Sequence, residues 1–399
     1  MNAPGALPPR QLVILAATCG SFGVMAWALW VWVFAGEPAQ DWMVFYTAAR
    51  AYFDGNLALI FDGEALTAAL NQRFAGWLAL PIHLHPWVYP PSFLLLFAPF
   101  GMLPPFLSLV VFLASGFIAL LAAVSLYAGR GQPRWIVAFS LVLCPAVPFN
   151  VMTGQNAFFT SALLVGGFGL LTRYPVLGGG LLGILTFKPQ LWLMVPIALV
   201  AARHWRALAG AGVSALAVAL FSLALFGPEI WRVWFGLMTG GDAAYRAWVT
   251  SGRLNGISVF ACVAWLGAPL AIANLAQWAA IAISAAFVYR AYRRPHPGTL
   301  ALAILLAATM LAAPHVSTSD AVLLALATSL FVTASGQVAP SPAQLMLAAA
   351  VWIIPLFNPP SVFRPGSFTP LLILMLLGAI LARIGDEGGP PAPAPLRNA

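Results

Sequence analysis

Only a few side chains in this sequence can do chemistry, because 7% of its 399 residues are charged. Asp41 follows the first long apolar segment, in the stretch PAQDWMVFYTAARAYFDG. Lys188, the single lysine, lies in a Lys-Pro-Gln junction between two short apolar segments, and His315 and Asp320 lie in the stretch PHVSTSD. Transfer of a group from a lipid phosphate needs a base for the acceptor hydroxyl and cations for the departing phosphate. Asp41, Lys188 and His315 could supply that base and those cations.

Each of these three residues also has a plainer interpretation, which the residues alone leave open. Asp41 could be only the N-cap of the helix that follows it. Lys188 could extend along the apolar surface to the membrane interface, and His315 could be a histidine hydrogen-bonded at a helix end. Ionisable groups at membrane depth are costly, however, so a functional role is the default hypothesis for them. A broken helix at Lys188 would also be tolerated only where the backbone lines a cavity.

Polar and aromatic residues elsewhere are candidates for contacts with a substrate. Gln155 and Asn156 in a TGQN turn could bind hydroxyl groups, although both residue types are ordinary in turns. The end of the first polar loop is crowded with ring side chains, namely His83, His85, Trp87 and Tyr89. Aromatic rings among prolines suit sugar stacking and equally suit a membrane interface. The His-x-His pair has no nearby acidic partner, and Asp62-Gly63-Glu64 is typical of a turn, so we expect no metal site and no cofactor.

The composition sets the broad class of the protein. The chain is 62% hydrophobic, with a mean hydropathy of +0.92, whereas about a quarter of the residues of a soluble domain are charged. This composition predicts an all-α, polytopic integral membrane protein with about 12 spans of about 20 residues each. The net charge of +8 does not indicate nucleic-acid binding, because the arginines are dispersed between apolar runs rather than collected on one face.

The distribution of arginines predicts the orientation of the spans. Leu12–Phe34 is expected to be a retained membrane anchor, with Arg10 before it on the cytoplasmic side. The parity of the apolar runs then places eleven arginines inside and six outside, in agreement with the positive-inside rule. We expect one transmembrane domain over 1–384, with a helical first outer loop at 36–91 and a second outer loop at 227–255. The Pro-rich stretch 385–399 is expected to be a disordered cytoplasmic tail, so both termini would be cytoplasmic.

An ordered set of motifs resembles a known family. The pieces are DWMVFYTAARAYFDG, WVYPPSFLLLFAPFGMLP, TGQNAFF, GGGLLGILTFKPQLWLMVPIAL and PHVSTSD, which run from about Asp41 to Asp320. No single piece is diagnostic, but their order and spacing resemble glycosyltransferase family 87, the polyprenol-phosphate-mannose-dependent transferases of the GT-C superfamily. The sequence departs from the family in one place: Ser319 stands where an aromatic residue usually precedes the acid of the last motif.

The resemblance implies a reaction and a set of roles. The family transfers a sugar, here expected to be mannose, from a polyprenyl-phosphate donor to a glycolipid or glycan acceptor on the outer face of a bacterial-type plasma membrane, with inversion. The family's base falls on Asp41, and the groups that bind the donor phosphate fall on Lys188, His315 and Arg253. The expected substrate contacts are Tyr46, Arg50, His85, Tyr89, Gln155, Asn156 and Asp320.

Two other functions remain open from the sequence. Many spans with a few polar groups would also fit a transporter or lipid flippase, although such proteins typically show paired repeats with broken helices in matching positions. No internal repeat of that kind is evident here, and the candidate residues all lie toward one predicted face. A non-catalytic scaffold, the third hypothesis, would hold no lipid in a cavity between its spans.

Overall fold

The computed structural model describes residues 39–128, 134–240, 243–294, 298–334, 339–357 and 368–386, together with Gly23 and Ala26. The predicted anchor Leu12–Phe34 lies outside the described residues except at those two positions, and so does the predicted tail beyond residue 386. Within the described residues the chain forms helices and no strands, so the expected all-α class is confirmed there.

The helices follow one another with short connections. In chain order they are α1 (Gln40–Phe53), α2 (Gly63–Arg73), α3 (Pro91–Gly101), α4 (Pro105–Ala128), α5 (Arg134–Val142), α6 (Ala146–Thr153), α7 (Ala157–Leu170), α8 (Pro175–Ile184), α9 (Pro189–Trp192), α10 (Met194–Ala201), α11 (Trp205–Phe226), α12 (Pro228–Gly240), α13 (Ala243–Leu254), α14 (Val259–Trp265), α15 (Leu270–Tyr292), α16 (Thr299–Ala312), α17 (Val322–Thr333), α18 (Pro342–Trp352) and α19 (Thr369–Asp386). Short 3₁₀ turns lie at Leu57–Phe61, Leu185–Phe187, Thr318–Ala321 and Ile354–Phe357.

Three of the described helices are long and apolar enough to cross a membrane. They are α4 over Pro105–Tyr127, α11 and α15, with mean hydropathies of 2.6, 2.1 and 1.7. Eight shorter apolar segments accompany them, several of them joined end to end by a turn. The structure is therefore that of a helical protein with several apolar helices suited to a bilayer, and the number of about twelve spans stays a prediction.

The apolar core is centred on α16. Every residue from Leu300 to Ala312 is buried, and a helix that is hydrophobic on all sides is stable only when neighbours surround it. It packs against α15, α17 and α19, and its side chains belong to one large buried cluster. The loop that contains His315 follows the end of this helix. The buried helix therefore fixes the position of the first residues of that loop.

The segment predicted as the first outer loop has an aromatic core of its own. Phe45 on α1 is contacted edge-on by the rings of Trp87, Phe93 and Phe97, with centroids 4.9–6.1 Å apart. Edge-to-face pairs at such distances add stability beyond the area they bury. Helix α1 is therefore part of a packed helical unit and not of an open loop.

Close contact between α8 and α11 fixes the approach to Lys188. A Cβ on Gly179 would overlap the backbone of Ala207, and one on Gly183 would overlap the backbone of Ala211. The sequence predicts close helix packing from this Gly-x-x-x-Gly spacing, and the structure confirms it. Because α8 packs closely against α11, the interruption of the helix that follows at residues 185–188 has a fixed position.

Candidate active site

Asp41 lies in the first turn of α1, beside the TGQN turn. The N-cap position is occupied by Ala39, whose backbone N–H donates to the carbonyl of Met152 at 2.7 Å. Gly154 ends α6 with φ +68°, and a Cβ there would overlap Trp42 Cβ. Asp41 is therefore not the N-cap, and that alternative is wrong. A carboxylate in the first turn is favoured by the positive end of the helix dipole, and Gly154 lets the start of α1 pack directly against the TGQN turn.

His85 contacts the Asp41 carboxylate directly. Its Nε2 lies 3.1 Å from Asp41 Oδ1, and the two side chains are 20% and 26% exposed. The backbone N–H of His85 donates to the hydroxyl of Thr67 at 3.0 Å, and the Trp248 ring meets the imidazole edge-on at 5.5 Å. His85, expected to contact substrate, is thus placed where it can orient Asp41, while the other carboxylate oxygen has no described partner.

Lys188 is buried and points inward. Its Nζ donates to Asp320 Oδ1 at 2.6 Å and to Asn156 Oδ1 at 3.1 Å, and the Lys188 and Asp320 side chains are 4% and 3% exposed. A lysine that extended to the membrane interface would be exposed at its tip, so that alternative is wrong for Lys188. An ammonium has three N–H donors, and one of the three is left for a ligand by the contacts within the described chain.

The Asp320 carboxylate is held on both of its oxygens. While Oδ1 accepts from Lys188, Oδ2 accepts from the backbone N–H and the hydroxyl of Ser317 at 3.3 and 3.4 Å. The neighbouring Ser319 hydroxyl lies 3.0 Å from that of Thr153 in the TGQN turn. Ser319, which departs from the family pattern, therefore links the last motif to the third one.

Tyr89 and Gln155 form a further link in the same cluster. The Tyr89 hydroxyl donates to Gln155 Oε1 at 3.1 Å, and the same oxygen accepts from the backbone N–H of Asn156 at 3.0 Å. Burial raises the pKa of Tyr89, which keeps its hydroxyl protonated as a donor at neutral pH. The side-chain oxygens of Gln155 and Asn156 are thus engaged within the protein, while the Gln155 amide nitrogen has no partner among the described residues.

His315 and Arg253 complete the cluster from a different direction. The backbone N–H of Ile257 donates to the carbonyl of Val316 at 3.1 Å, and a Cβ on Gly252 would lie 3.1 Å from His315 Cε1. Arg253 donates to Asn274 Oδ1 at 2.8 Å, and its guanidinium lies 3.7 Å from the centre of the Phe260 ring. The Nε of Arg253 is buried without a hydrogen-bond partner among the described residues.

His315 lies within the electrostatic range of the other charged candidates. Desolvation lowers the pKa of His315 and favours the neutral imidazole, while the charges of Asp320, Lys188, Asp41 and Arg253 act on it with opposing signs. The ring is nevertheless exposed. His315 lies against Gly252 on α13 and in the same short segment as Asp320, which binds Lys188, so these predicted groups lie near one another; the region between them is called the recess below.

Two predicted substrate contacts lie away from this recess. The Tyr46 hydroxyl donates to the carbonyl of Leu103 at 2.9 Å, and Arg50 pairs with Asp54 at 2.9 Å. Arg50 also lies nine residues after Asp41 on α1, which is about 14 Å along the helix axis. The structure therefore brings together nine of the eleven predicted site residues and gives Tyr46 and Arg50 other partners.

Some contributors to the site were not singled out from the sequence. Trp248, Ser317 and Thr153 reach it through the contacts above, as does Thr67. For Trp248 and Ser317 the sequence offered one signal, the glycines at 252 and 256, which let the second predicted loop approach the His315 ring and the Val316 carbonyl. Within the described residues, no group of three or more His, Cys, Asp or Glu side chains is placed to hold a metal ion.

Comparison with known proteins gives one result. The model of glycosyltransferase family 87 matches residues 87–314, more than half of the chain. No curated protein and no solved structure matches the chain. The matched range contains Tyr89, Asn156, Lys188 and Arg253, while Asp41 lies before it and His315 directly after it. A match over this share of a chain built from apolar helices shows that the protein is a membrane glycosyltransferase and belongs to glycosyltransferase family 87.

Proposed function

We propose that the protein transfers a sugar, mannose in keeping with the family resemblance, from a polyprenyl-phosphate donor to a hydroxyl group of an envelope glycolipid or glycan. The observation that carries this proposal is the contact of the start of α1, which bears the partly exposed Asp41 carboxylate, with the TGQN turn, whose Asn156 accepts a hydrogen bond from the buried Lys188. His315 lies in the same segment as Asp320, the second partner of Lys188. The distribution of arginines supports an outer-face location for this recess.

In the proposed reaction Asp41 is the base. His85 Nε2, as a donor, binds Oδ1 of Asp41, which leaves Oδ2 to accept the proton of the acceptor hydroxyl. The acceptor oxygen forms a bond to carbon one of the donor sugar as the bond from that carbon to the phosphate oxygen breaks. The electron pair leaves with the polyprenyl phosphate, and attack from the opposite face inverts the configuration at carbon one.

The leaving phosphate would be received by donors of different kinds. Arg253 offers a full positive charge and an unpartnered Nε, and His315 offers an N–H from a neutral ring. Lys188 is already neutralised by Asp320, so it contributes its third N–H and its position more than net charge. Charge-assisted donors of this kind stabilise developing negative charge most when they are fixed beforehand in a water-poor site.

The sugar itself would lie between the base, Asp41, and the residues that receive the phosphate. The amide nitrogen of Gln155 has no described partner, and it stands beside the Tyr89 hydroxyl that the Gln155 oxygen holds. An amide donor suits a sugar hydroxyl, and the polyprenyl chain would run along the apolar helices into the bilayer.

The substitution Asp41→Asn tests the proposal. It keeps the size and a hydrogen-bond acceptor for His85, but it removes the base, so we expect transfer to fall by about 10²–10⁴-fold while donor binding is retained. The assay uses purified protein in nanodiscs, radiolabelled polyprenyl-phosphate mannose and an extract of envelope lipids and glycans.

Asp54→Asn is the matched control for this experiment. Asp54 directly follows α1 as its C-cap and pairs with Arg50 and Arg73 away from the recess, so its loss should leave transfer nearly unchanged. Full transfer by Asp41→Asn would overturn the assignment of the base. In a parallel experiment the protein is reconstituted in lipid vesicles. Radiolabelled sugar that crosses the vesicle membrane without appearing on any acceptor would instead support a transporter.

A further inference from the structure

A cavity of about 520 Å³ lies beside the recess and has no role in the chemistry described so far. Its wall includes the start of α2, with the carboxylates of Asp62 and Glu64, and the extended residues Leu84 and Pro86. The opposite wall comes from α12 and from Tyr245 on α13. The cavity therefore lies between the two segments that the sequence predicts as outer loops.

The cavity and the candidate base share a wall. A Cβ on Gly63 would lie 3.0 Å from Pro86 Cβ and 3.3 Å from Leu84 Cδ1, so both of these side chains face the start of α2. His85 stands between them and reaches Asp41 at 3.1 Å instead. The same three-residue stretch thus has the cavity on one side and the Asp41 carboxylate on the other.

One face of α13 joins the cavity to the recess. Tyr245, Trp248 and Gly252 are spaced by three and four residues, which places them along one side of a helix. Tyr245 lines the cavity, Trp248 contacts the His85 ring, and Gly252 lies against His315. Seven residues of helix span about 10 Å, so a ligand of a few sugar units would reach from the cavity to the reacting groups.

The chemistry of the lining indicates the kind of ligand. Asp62 and Glu64 carry negative charge, and no lysine or arginine is among the residues that line the cavity. Glu64 has no ion-pair partner in the described chain. Carboxylates accept hydrogen bonds from sugar hydroxyls but repel phosphate groups, and burial raises the pKa of Tyr245 to about 12, which keeps its hydroxyl protonated.

We infer that this cavity and the Tyr245–Gly252 face of α13 bind the acceptor, and that the acceptor is an uncharged polyhydroxylated glycan and not a phosphate-bearing headgroup. The inference rests on the proposed function, because it names the acceptor of the same reaction. It assigns the acceptor to the Asp62 and Glu64 side of His85 and the donor phosphate to the Arg253 and Lys188 side, so the two substrates would meet near Asp41.

Binding of two matched probes tests the inference without turnover. The probes are an octyl oligomannoside and the same molecule with one phosphate monoester, added to the full-length protein in nanodiscs and followed by tryptophan fluorescence. We expect the neutral probe to bind saturably and about fivefold or more tightly than the phosphorylated one. Glu64→Lys should abolish or reverse that preference, and Glu64→Gln should reduce it.

Glu229→Lys is the control for charge reversal. Glu229 is exposed on α12, pairs with Arg232 and does not line the cavity, so the preference for the neutral probe should persist. Tighter binding of the phosphorylated probe to the unmodified protein, no saturable binding of the neutral probe, or a preference that Glu64→Lys leaves unchanged would each overturn the inference. Loss of sugar transfer from every polyprenyl-phosphate donor, with the preference intact, would refute the proposed reaction but leave the glycan site standing.

Discussion

Replacement of Lys188 by Met removes the ammonium and keeps a side chain of similar length, so it leaves the Asp320 carboxylate buried without its counter-charge. The two side chains are 4% and 3% exposed, with Nζ 2.6 Å from Oδ1. Loss of one partner from such a pair costs about 3–5 kcal/mol. Asp320→Asn leaves the Lys188 ammonium buried without its counter-charge, and it should lower the free energy of unfolding by a similar amount.

The double variant, Lys188→Met with Asp320→Asn, separates the ion pair from other contributions. Neither charge is then buried alone, so the double variant should be more stable than the sum of the two single effects predicts, by about 2 kcal/mol or more. On the proposed function, all three variants should also lose transfer, because the third N–H of Lys188 is lost or displaced. Recovered stability without recovered activity is the expected pattern.

The measurement is reversible unfolding in mixed micelles with an increasing fraction of denaturing detergent, followed by circular dichroism, with sugar transfer assayed in parallel. Thr186→Val is a suitable control, because the Thr186 hydroxyl only donates to the carbonyl of Gly183 within its own helical turn. Single variants within about 1 kcal/mol of the unmodified protein, or strictly additive effects, would show that the pair is not buried as described.

Three further outcomes follow from the geometry. Gly154→Ala places a Cβ at a residue with φ +68° and against Trp42, so the free energy of unfolding should fall by about 2–4 kcal/mol and transfer should decrease. Gly180→Ala, whose Cβ would meet no atom within 4 Å, is the control in the same unfolding assay. Gly256→Ala places a Cβ 2.7 Å from the carbonyl oxygen of Val316 and should push the second loop away from His315, which would lower transfer about tenfold or more, whereas unaltered kinetics would contradict the close approach. Because desolvation lowers the pKa of His315 below its usual 6.5, the folded state disfavours the imidazolium, so stability should be complete above pH 6.5 and fall as the pH drops toward the lowered pKa; His315→Asn should flatten that dependence in unfolding measured at pH 7.5 and 5.

The sequence predicted the class of the protein well, because composition and hydrophobic runs report directly on a membrane environment. It also singled out Lys188, His315 and Asp320 as candidates, since ionisable groups are few among apolar helices, and their roles stay predictions. It could not show that Lys188 and Asp320 bind each other, because the two residues are 132 positions apart. Nor could it place Ala39 at the N-cap, because that position depends on a contact with Met152.

Helical periodicity explains the two predicted contacts that lie elsewhere. Arg50 follows Asp41 by nine residues, which at 3.6 residues per turn is about two and a half turns, so the two side chains leave opposite sides of α1. Tyr46 is likewise turned well away from Asp41 and reaches Leu103. His85 shows the reverse problem, because no local pattern in an extended, proline-flanked stretch indicates which side chain faces the carboxylate.

The Lys188–Asp320 bond has a consequence for synthesis of the chain. Lys188 enters the membrane long before Asp320 has left the ribosome, since 132 residues separate them. During that interval the ammonium lacks its carboxylate, and the TGQN turn lacks the Ser319 hydroxyl that binds Thr153. A nascent or truncated chain that stops before residue 319 therefore lacks both contacts, so the recess is assembled only after that part of the chain has been inserted.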